Sequence, residues 1–301
     1  MRILVTGGAG FIGSHLVDAY LDMGHEVFVI DNLETGKKEN VNQNAHFILG
    51  DVRSDLLHDV VGKFRPDVIS HHAGNPSVRD SIDDPVRFAS LNFHSTLNVV
   101  EAARRYGVKR IIYGSTSTPL YDPEEKGPVQ EEASMNPSTP YGVYAAASEM
   151  LLKSLSREVE VVCLRYSNVY GERQDPYRGG VVSVFFDRIW HDQVIFIHGD
   201  GWQRRDFVHV EDVCRANLSA LDAGEGESIH ICTGVETSIR ALSQMIGSVV
   251  GKEPSLVSGE EEKVRPGPTS LSNRKAWDIL GWSPQVSLSE GLRRLHLQYL
   301  G

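Results

Sequence analysis

The chain has 301 residues, 41% hydrophobic and 23% charged, a composition that can bury a sizeable core in one large and one smaller packed region. Its formal net charge of -10, from 30 Lys+Arg against 40 Asp+Glu, argues against nucleic acid or an anionic membrane as partner. Three scattered cysteines, Cys163, Cys214 and Cys232, form no CxxC and point neither to a disulfide framework nor to a zinc site, which fits a reducing cytoplasm. Met1 leads straight into Arg2-Ile3-Leu4-Val5-Thr6 with no basic and apolar leader, and no apolar run is long enough to span a bilayer, so neither export nor membrane insertion is expected. From there, short β-branched runs alternate with segments of helical period. Strands are predicted at 2–6, 26–30, 46–49, 67–71, 109–113 and 159–164, and helices over 11–23, 54–61, 85–106 and 141–157. That alternation predicts an α/β fold, a doubly wound parallel sheet with helices on both faces. Within 85–106, Phe88, Leu91, Leu97, Val100 and Ala103 recur every three to four residues, a stripe to be covered either by the core or by a second copy. After about residue 168 the alternation becomes irregular, with Gly and Pro clusters at 171–180, 199–201 and 266–268. The expected division is a domain over 1–167, with part of 206–223 packing back on it, and a smaller α/β substrate domain over 168–301.

Thr6-Gly7-Gly8-Ala9-Gly10-Phe11-Ile12-Gly13 follows the first strand directly and opens a helix. A tight turn there needs residues without Cβ, a pyrophosphate must approach the backbone closely, and the free N–H groups at the helix start stabilise its charge. Those needs account for Gly7, Gly10 and Gly13, with Phe11 and Ile12 on the same first turn. The second strand ends at Asp31, eighteen residues after Gly13, where a carboxylate would bond both ribose hydroxyls and repel a 2′-phosphate. The predicted cofactor is therefore NAD, with Asn32 beside that acid. Asp51-Val52 after the third strand and His72-Ala73-Gly74 after the fourth fall at carboxyl ends of strands facing the same crevice, and Asn92 is counted with them.

Thr6 to Leu16 (TGGAGFIGSHL), Asp31 to Asn40 (DNLETGKKEN) and Leu164 to Gly171 (LRYSNVYG) together resemble the extended short-chain dehydrogenase/reductases, and among them the UDP-glucose 4-epimerases. Gly199 to Val213 (GDGWQRRDFVHVEDV) and Arg265-Pro266-Gly267 extend the resemblance over nearly the whole chain. The resemblance implies a Rossmann-type NAD domain, a smaller sugar-nucleotide domain, a UDP-sugar substrate and a homodimer built on two long helices per subunit, here 85–106 and 141–157. It also implies the reaction: oxidation of the sugar at C4 to a 4-keto species, rotation of that ketone, and reduction from the opposite face.

Such enzymes carry a Ser or Thr together with a YxxxK pair, because a free phenol with a pKa of about 10 is a poor base at neutral pH and the lysine charge lowers it. By that pattern Tyr141 is the acid/base, also facing the cofactor, and Ser117 is the hydroxyl that binds substrate. The expected lysine position holds Ala145, in Tyr141-Gly142-Val143-Tyr144-Ala145. Three readings stand: a deliberate substitution, a natural variant with altered chemistry, or a sensor that has lost catalysis. Pattern matching also assigns Asn168, Arg205 and Arg265 to the substrate diphosphate, where arginine's bidentate fork suits phosphate, with Gln203 and Arg204 as weaker candidates. The span from Arg265 to Lys275 is short, and Thr269, Ser270 and Ser272 are small enough to admit N-acetylated hexoses. The histidines at 71, 72, 191, 198 and 209 show no metal-binding spacing, so no metal is expected. The rival activities are a nucleotide-sugar dehydratase or decarboxylase, which resemble this chain but place an acidic residue where Thr118-Pro119 stands, and a non-catalytic NAD-binding sensor.

Overall fold

A computed structural model describes residues 1–125, 127–259 and 268–300. The first half alternates strand and helix: β1 (Arg2–Thr6), α1 (Phe11–Asp22), β2 (Glu26–Asp31), β3 (His46–Leu49), α2 (Leu56–Phe64), β4 (Val68–His71), α3 (Val78–Asp83), α4 (Pro85–Ala89), α5 (Ser95–Tyr106), β5 (Arg110–Thr116), α6 (Pro140–Ser154) and β6 (Glu160–Tyr166). The rest comprises β7 (Asn168–Tyr170), α7 (Val181–Trp190), β8 (Ile195–His198), β9 (Arg204–His209), α8 (Val210–Ser219), β10 (Ser228–Ile231), β11 (Glu236–Ser238), α9 (Ile239–Val250), β12 (Leu256–Gly259), α10 (Arg274–Leu280) and α11 (Leu288–Leu300).

Seven of the strands form one parallel sheet in the order β10-β6-β5-β4-β1-β2-β3. This is the expected doubly wound α/β fold. Alternating side chains bury both faces. Ile3 and Val5 join Leu16, Val17, Tyr20, Val213 and Ala216 on one side. Leu4 joins Ile30, Leu57, Val61, Val99, Ala103 and Leu152 on the other. The sheet has one strand more than the six expected, β10, which arrives after a long excursion through the irregular second half of the chain. Strands β7, β8 and β9 of that excursion pair with β11 and β12, which follow β10, in a three-stranded sheet, β11-β9-β7, and a two-stranded one, β12-β8. Over them packs a separate core that includes Tyr170, Phe186, Ile197, Phe207, Leu242 and Leu292. Helix α8 returns to the large sheet, where Val213 and Ala216 share the core of α1.

Local signals set the helix ends. Thr139 caps α6 by accepting the Gly142 N–H at 3.2 Å, with Pro140 at the first helical position. Ser238 caps α9 through the Ala241 N–H at 3.1 Å. The predicted 85–106 helix is continuous in path but contains a π-helical turn over Ser90–His94 between α4 and α5. Of its apolar stripe, Phe88, Val100 and Ala103 are buried, while Leu97 is 39% exposed.

Candidate active site

The strand order reverses direction between β1 and β4, and the crevice outside that point is where α/β sheets bind ligands. The turn from β1 into α1 lies there. Gly7 has φ +72°, its N–H donates to Ile30 O at 2.9 Å, and its carbonyl accepts the Gly10 N–H at 3.1 Å. A Cβ at Gly7 would fall 2.8 Å from Ala73 N and His72 O, and one at Gly13 only 2.1 Å from Gly7 O. The helix therefore starts hard against the turn, and no larger residue fits. Gly10 opens α1 without a side-chain cap, and no acidic residue stands in its first turn, so the helix-start field at Phe11 and Ile12 is left for an anion. Asp31 is 7% exposed and accepts the Ala9 N–H at 3.0 Å and the Leu33 N–H at 2.8 Å. A carboxylate has about four lone-pair sites, so two remain for ribose hydroxyls. This cradle fits a dinucleotide.

The neighbouring candidates are placed unequally. Asn32 accepts the Glu34 N–H at 3.0 Å and reaches Asp51 at 3.5 Å. Asp51 is gripped by Arg53, whose guanidinium holds the carboxyl down to about 2, and Arg53 also donates to Ser90 Oγ at 3.0 Å. Val52 is buried, and its carbonyl accepts Asn98 Nδ2 at 2.6 Å. The His72 ring bonds Tyr166 OH at 2.9 Å, burial pushes its pKa down to about 4, and its backbone, with that of Ala73, abuts Gly7. The Asn92 amide accepts the Asn75 N–H at 2.7 Å and donates to Asn75 O at 2.9 Å, so it braces the loop after Gly74 from the π-helical turn.

At the carboxyl end of β5 the structure sets beside Tyr141 a residue not anticipated, Thr116, whose side chain favours the phenolate. Burial is the larger influence and raises the phenol above 10, and no cation among the described residues opposes it. Tyr141 stands on the first turn of α6, its ring edge-on to Phe88 at 5.8 Å. Ser117, the expected hydroxyl, is 1% exposed, and its buried Oγ has no hydrogen-bond partner. It has already left β5 to start a turn, and so its oxygen points into protein. The signal that could have separated the two is that Thr116 closes the strand while Pro119 forces a turn immediately after. Ala145 lies one helical turn beyond Tyr141, 7% exposed, in an apolar cluster with Leu120, Tyr121, Val129, Cys232 and Leu271.

Asn168 and Arg205 come together on adjacent strands, β7 and β9, which run parallel with Asn168 opposite Phe207. Asn168 Nδ2 donates to Asp206 O at 3.0 Å and Arg205 Nη1 to Arg204 O at 2.8 Å. Between them Asp206 is buried, and its carboxylate accepts from Ser167 Oγ, Thr233 N and Oγ1, and Gly234 N at 2.6–3.2 Å. Gln203 bonds His198 O at 2.9 Å, and Arg204 pairs with Glu236 at 3.6 Å. Arg265 lies outside the described residues. Among the described residues no group of three or more His, Cys, Asp or Glu side chains is arranged to hold a metal ion, and no helix is long and apolar enough to cross a membrane.

A Gly-rich turn at the switch point of a doubly wound sheet, an acid closing the second strand and a Thr-Tyr pair above it define the class of dinucleotide-binding enzymes to which comparison then assigns the chain. Residues 3–232 match the NAD dependent epimerase/dehydratase family, and the chain belongs to that family. It is 37% identical to the UDP-glucose 4-epimerase of Mycolicibacterium smegmatis, over 98% of this chain and 97% of that one. It is 34% identical to UDP-glucuronic acid decarboxylase 1 of Danio rerio, over 99% of this chain and 72% of the relative. Its fold superposes on the crystal structure of UDP-glucose 4-epimerase with UDP-glucose from Thermotoga maritima with a TM-score of 0.97, at 38% identity and 100% coverage of both chains. The cofactor of the family is NAD.

Proposed function

We infer that the chain is a UDP-hexose 4-epimerase whose acid/base step is impaired by the alanine at 145. The observation that carries this is the Thr116–Tyr141 hydroxyl pair closing β5, with uncharged Ser117 and Thr118 following it. Elimination of water or loss of a carboxylate calls for an acidic group beside that pair, and none stands there. Gly7, Gly10, Gly13 and Asp31 would hold NAD, which when bound takes up hydrogen from the sugar C4 and returns it. Tyr141 removes the proton of the sugar 4-hydroxyl and later gives it back, and Thr116 orients that hydroxyl. Asn168, Arg205 and Arg265 hold the diphosphate while the sugar turns. Residues 1–167, with the returning 206–223 segment, form the cofactor half, and 168–301 the sugar-nucleotide half. The charge, the cysteines and the similarity to UDP-sugar enzymes support a cytoplasmic setting. Exposed apolar side chains on the two long helices, Val86 and Leu97 on one and Val143 and Met150 on the other, support a homodimer.

Product masses test the assignment. With Ala145→Lys in place and NAD supplied, UDP-galactose and UDP-N-acetylglucosamine should yield only isomers of unchanged mass, and UDP-glucuronate should keep its carboxylate. Release of water or CO₂ would overturn the epimerase reading in favour of the dehydratase or decarboxylase one.

A further inference from the structure

A buried polar chain runs behind the glycine turn, and the direction of each of its hydrogen bonds follows from its neighbours. Thr96 Oγ1 donates to Asn92 O at 2.9 Å, so in its contact with His71 Nε2 at 3.2 Å the imidazole is the donor. Burial, with the neighbouring His72, lowers the His71 pKa to about 3, so the ring is neutral and its one hydrogen sits on Nε2. Nδ1 is then an acceptor. The partner it faces at 2.7 Å is the hydroxyl of Thr6, its register partner across the ends of β1 and β4, and that hydroxyl donates. With its proton committed, Thr6 Oγ1 has both lone pairs left to accept, and it takes the His72 and Ala73 N–H groups at 3.2 Å each. Thr6, His71 and Thr96 are all buried, so these bonds are made without competition from water.

The chain ends against the glycine turn itself. Ala73 N and His72 O are the atoms on which a Cβ at Gly7 would fall, at 2.8 Å each. His72 N–H also donates to Thr6 O at 3.1 Å, whereas Ala73 N–H has Thr6 Oγ1 and no other acceptor among the described residues. The place of Ala73 beside Gly7 therefore depends on a hydroxyl whose own proton His71 takes. Farther along, Asn92 holds Asn75 by two bonds of its own, so that side of the loop stays anchored whatever stands at 71.

We propose that His71 is a positioning residue for the dinucleotide: by accepting the Thr6 proton it makes that hydroxyl the double acceptor that sets the Ala73 backbone against Gly7, where the pyrophosphate would pass. The role deepens the cofactor reading above, which places NAD on Gly7, Gly10, Gly13 and Asp31. His71 is sealed in the protein and acts through Thr6.

The test uses the full chain, with NAD and UDP as separate probes, and two substitutions. His71→Leu fills the space of the ring but leaves the Thr6 proton without an acceptor, while His71→Asn keeps an acceptor where Nδ1 stood. NAD affinity should fall about tenfold in His71→Leu, the worth of roughly one well-placed hydrogen bond, and stay within about threefold of the parent in His71→Asn. UDP affinity should stay within about twofold in both, because its proposed ligands lie on other elements. Nitrogen NMR of the histidine-labelled parent should show a neutral His71 ring protonated on Nε2. NAD affinity unchanged in His71→Leu, even with a lowered Tm, overturns the proposal by showing the role to be purely structural. An equal loss of NAD and UDP binding overturns it too, as does a loss in His71→Asn as large as in His71→Leu, or a ring protonated on Nδ1. Failure of the parent chain to bind NAD contradicts the cofactor reading instead, and amide exchange at 72–74 then decides the role of His71, unchanged rates in His71→Leu overturning it. Should His71→Leu not fold, Thr96→Val answers the same question. It removes the acceptor that holds the hydrogen on Nε2, so the ring turns donor towards Thr6 and NAD affinity should fall severalfold; an unchanged affinity overturns the proposal.

Discussion

Thr116 and Ser117 are neighbours with opposite surroundings, one beside the Tyr141 phenol and the other sealed in protein. Thr116→Val in the Ala145→Lys background should lower kcat by about tenfold to a hundredfold, since the lost donor faces developing charge. Ser117→Ala should leave kcat within about threefold. Steady-state kinetics on UDP-galactose distinguishes the two, and equal losses would contradict the assignment. The pH profile carries the other residue-scale consequence. Tyr141 must be a phenolate to accept a proton, and burial raises its pKa above 10, so the anionic fraction at pH 7 is very small and grows as pH rises. The parent chain's kcat/KM is predicted to climb through the alkaline range without a plateau below pH 10. Ala145→Lys, whose ammonium favours the phenolate, should move that rise to lower pH. The missing lysine and the glycine cradle are both legible in sequence, because each depends on residue type at fixed spacing. The burial of Ser117 beside Thr116 is not, since it depends on where a strand stops, and neither is the bond of the His72 ring, since its partner Tyr166 is distant in the chain.

The elements most visible from periodicity are those that bury one continuous stripe. Strands β1 to β6 and helices α1 and α6 fall within a few residues of expectation, and their apolar spacing is what the sheet needs on both faces. The π-helical turn at Ser90–His94 breaks the 85–106 helix without Pro or Gly, and so leaves no mark on the pattern. Strand β10 lies beyond the regular strand–helix alternation, which is why the pattern does not mark it although β3 and β4 are equally short. Helix α6 shows why an element's position matters to chemistry. Tyr141, Ala145 and Glu149 recur every four residues, and Glu149 is 1% exposed, bonded to Arg165, Ser115 and Ser228. Glu149→Ala would leave the Arg165 charge buried without its partner, a loss of about 3–5 kcal/mol. Denaturant unfolding should show that loss, whereas a change below about 1 kcal/mol would mean that α6 is held by its apolar contacts alone.

The whole molecule joins two kinds of surface. Its parallel sheet presents the cofactor crevice, and the small sheets β11-β9-β7 and β12-β8 stand beside it with Asn168 and Arg205. The apolar side chains left outside on the 85–106 helix and on α6 predict association: sedimentation should give a dimer for the parent and a monomer for the double variant Val143→Glu and Met150→Glu, with NAD binding retained. A monomeric parent would contradict that expectation. The central claim is that a competent nucleotide-sugar site lacks only the charge that activates Tyr141. Incubating the Ala145→Lys chain with UDP-galactose and NAD at pH 7 tests it most directly, with UDP-glucose and transient NADH absorbance as readouts. Formation of UDP-glucose at a rate on the order of a hundredfold above the parent chain is the predicted result. NAD-loaded protein that yields neither UDP-glucose nor NADH would contradict it.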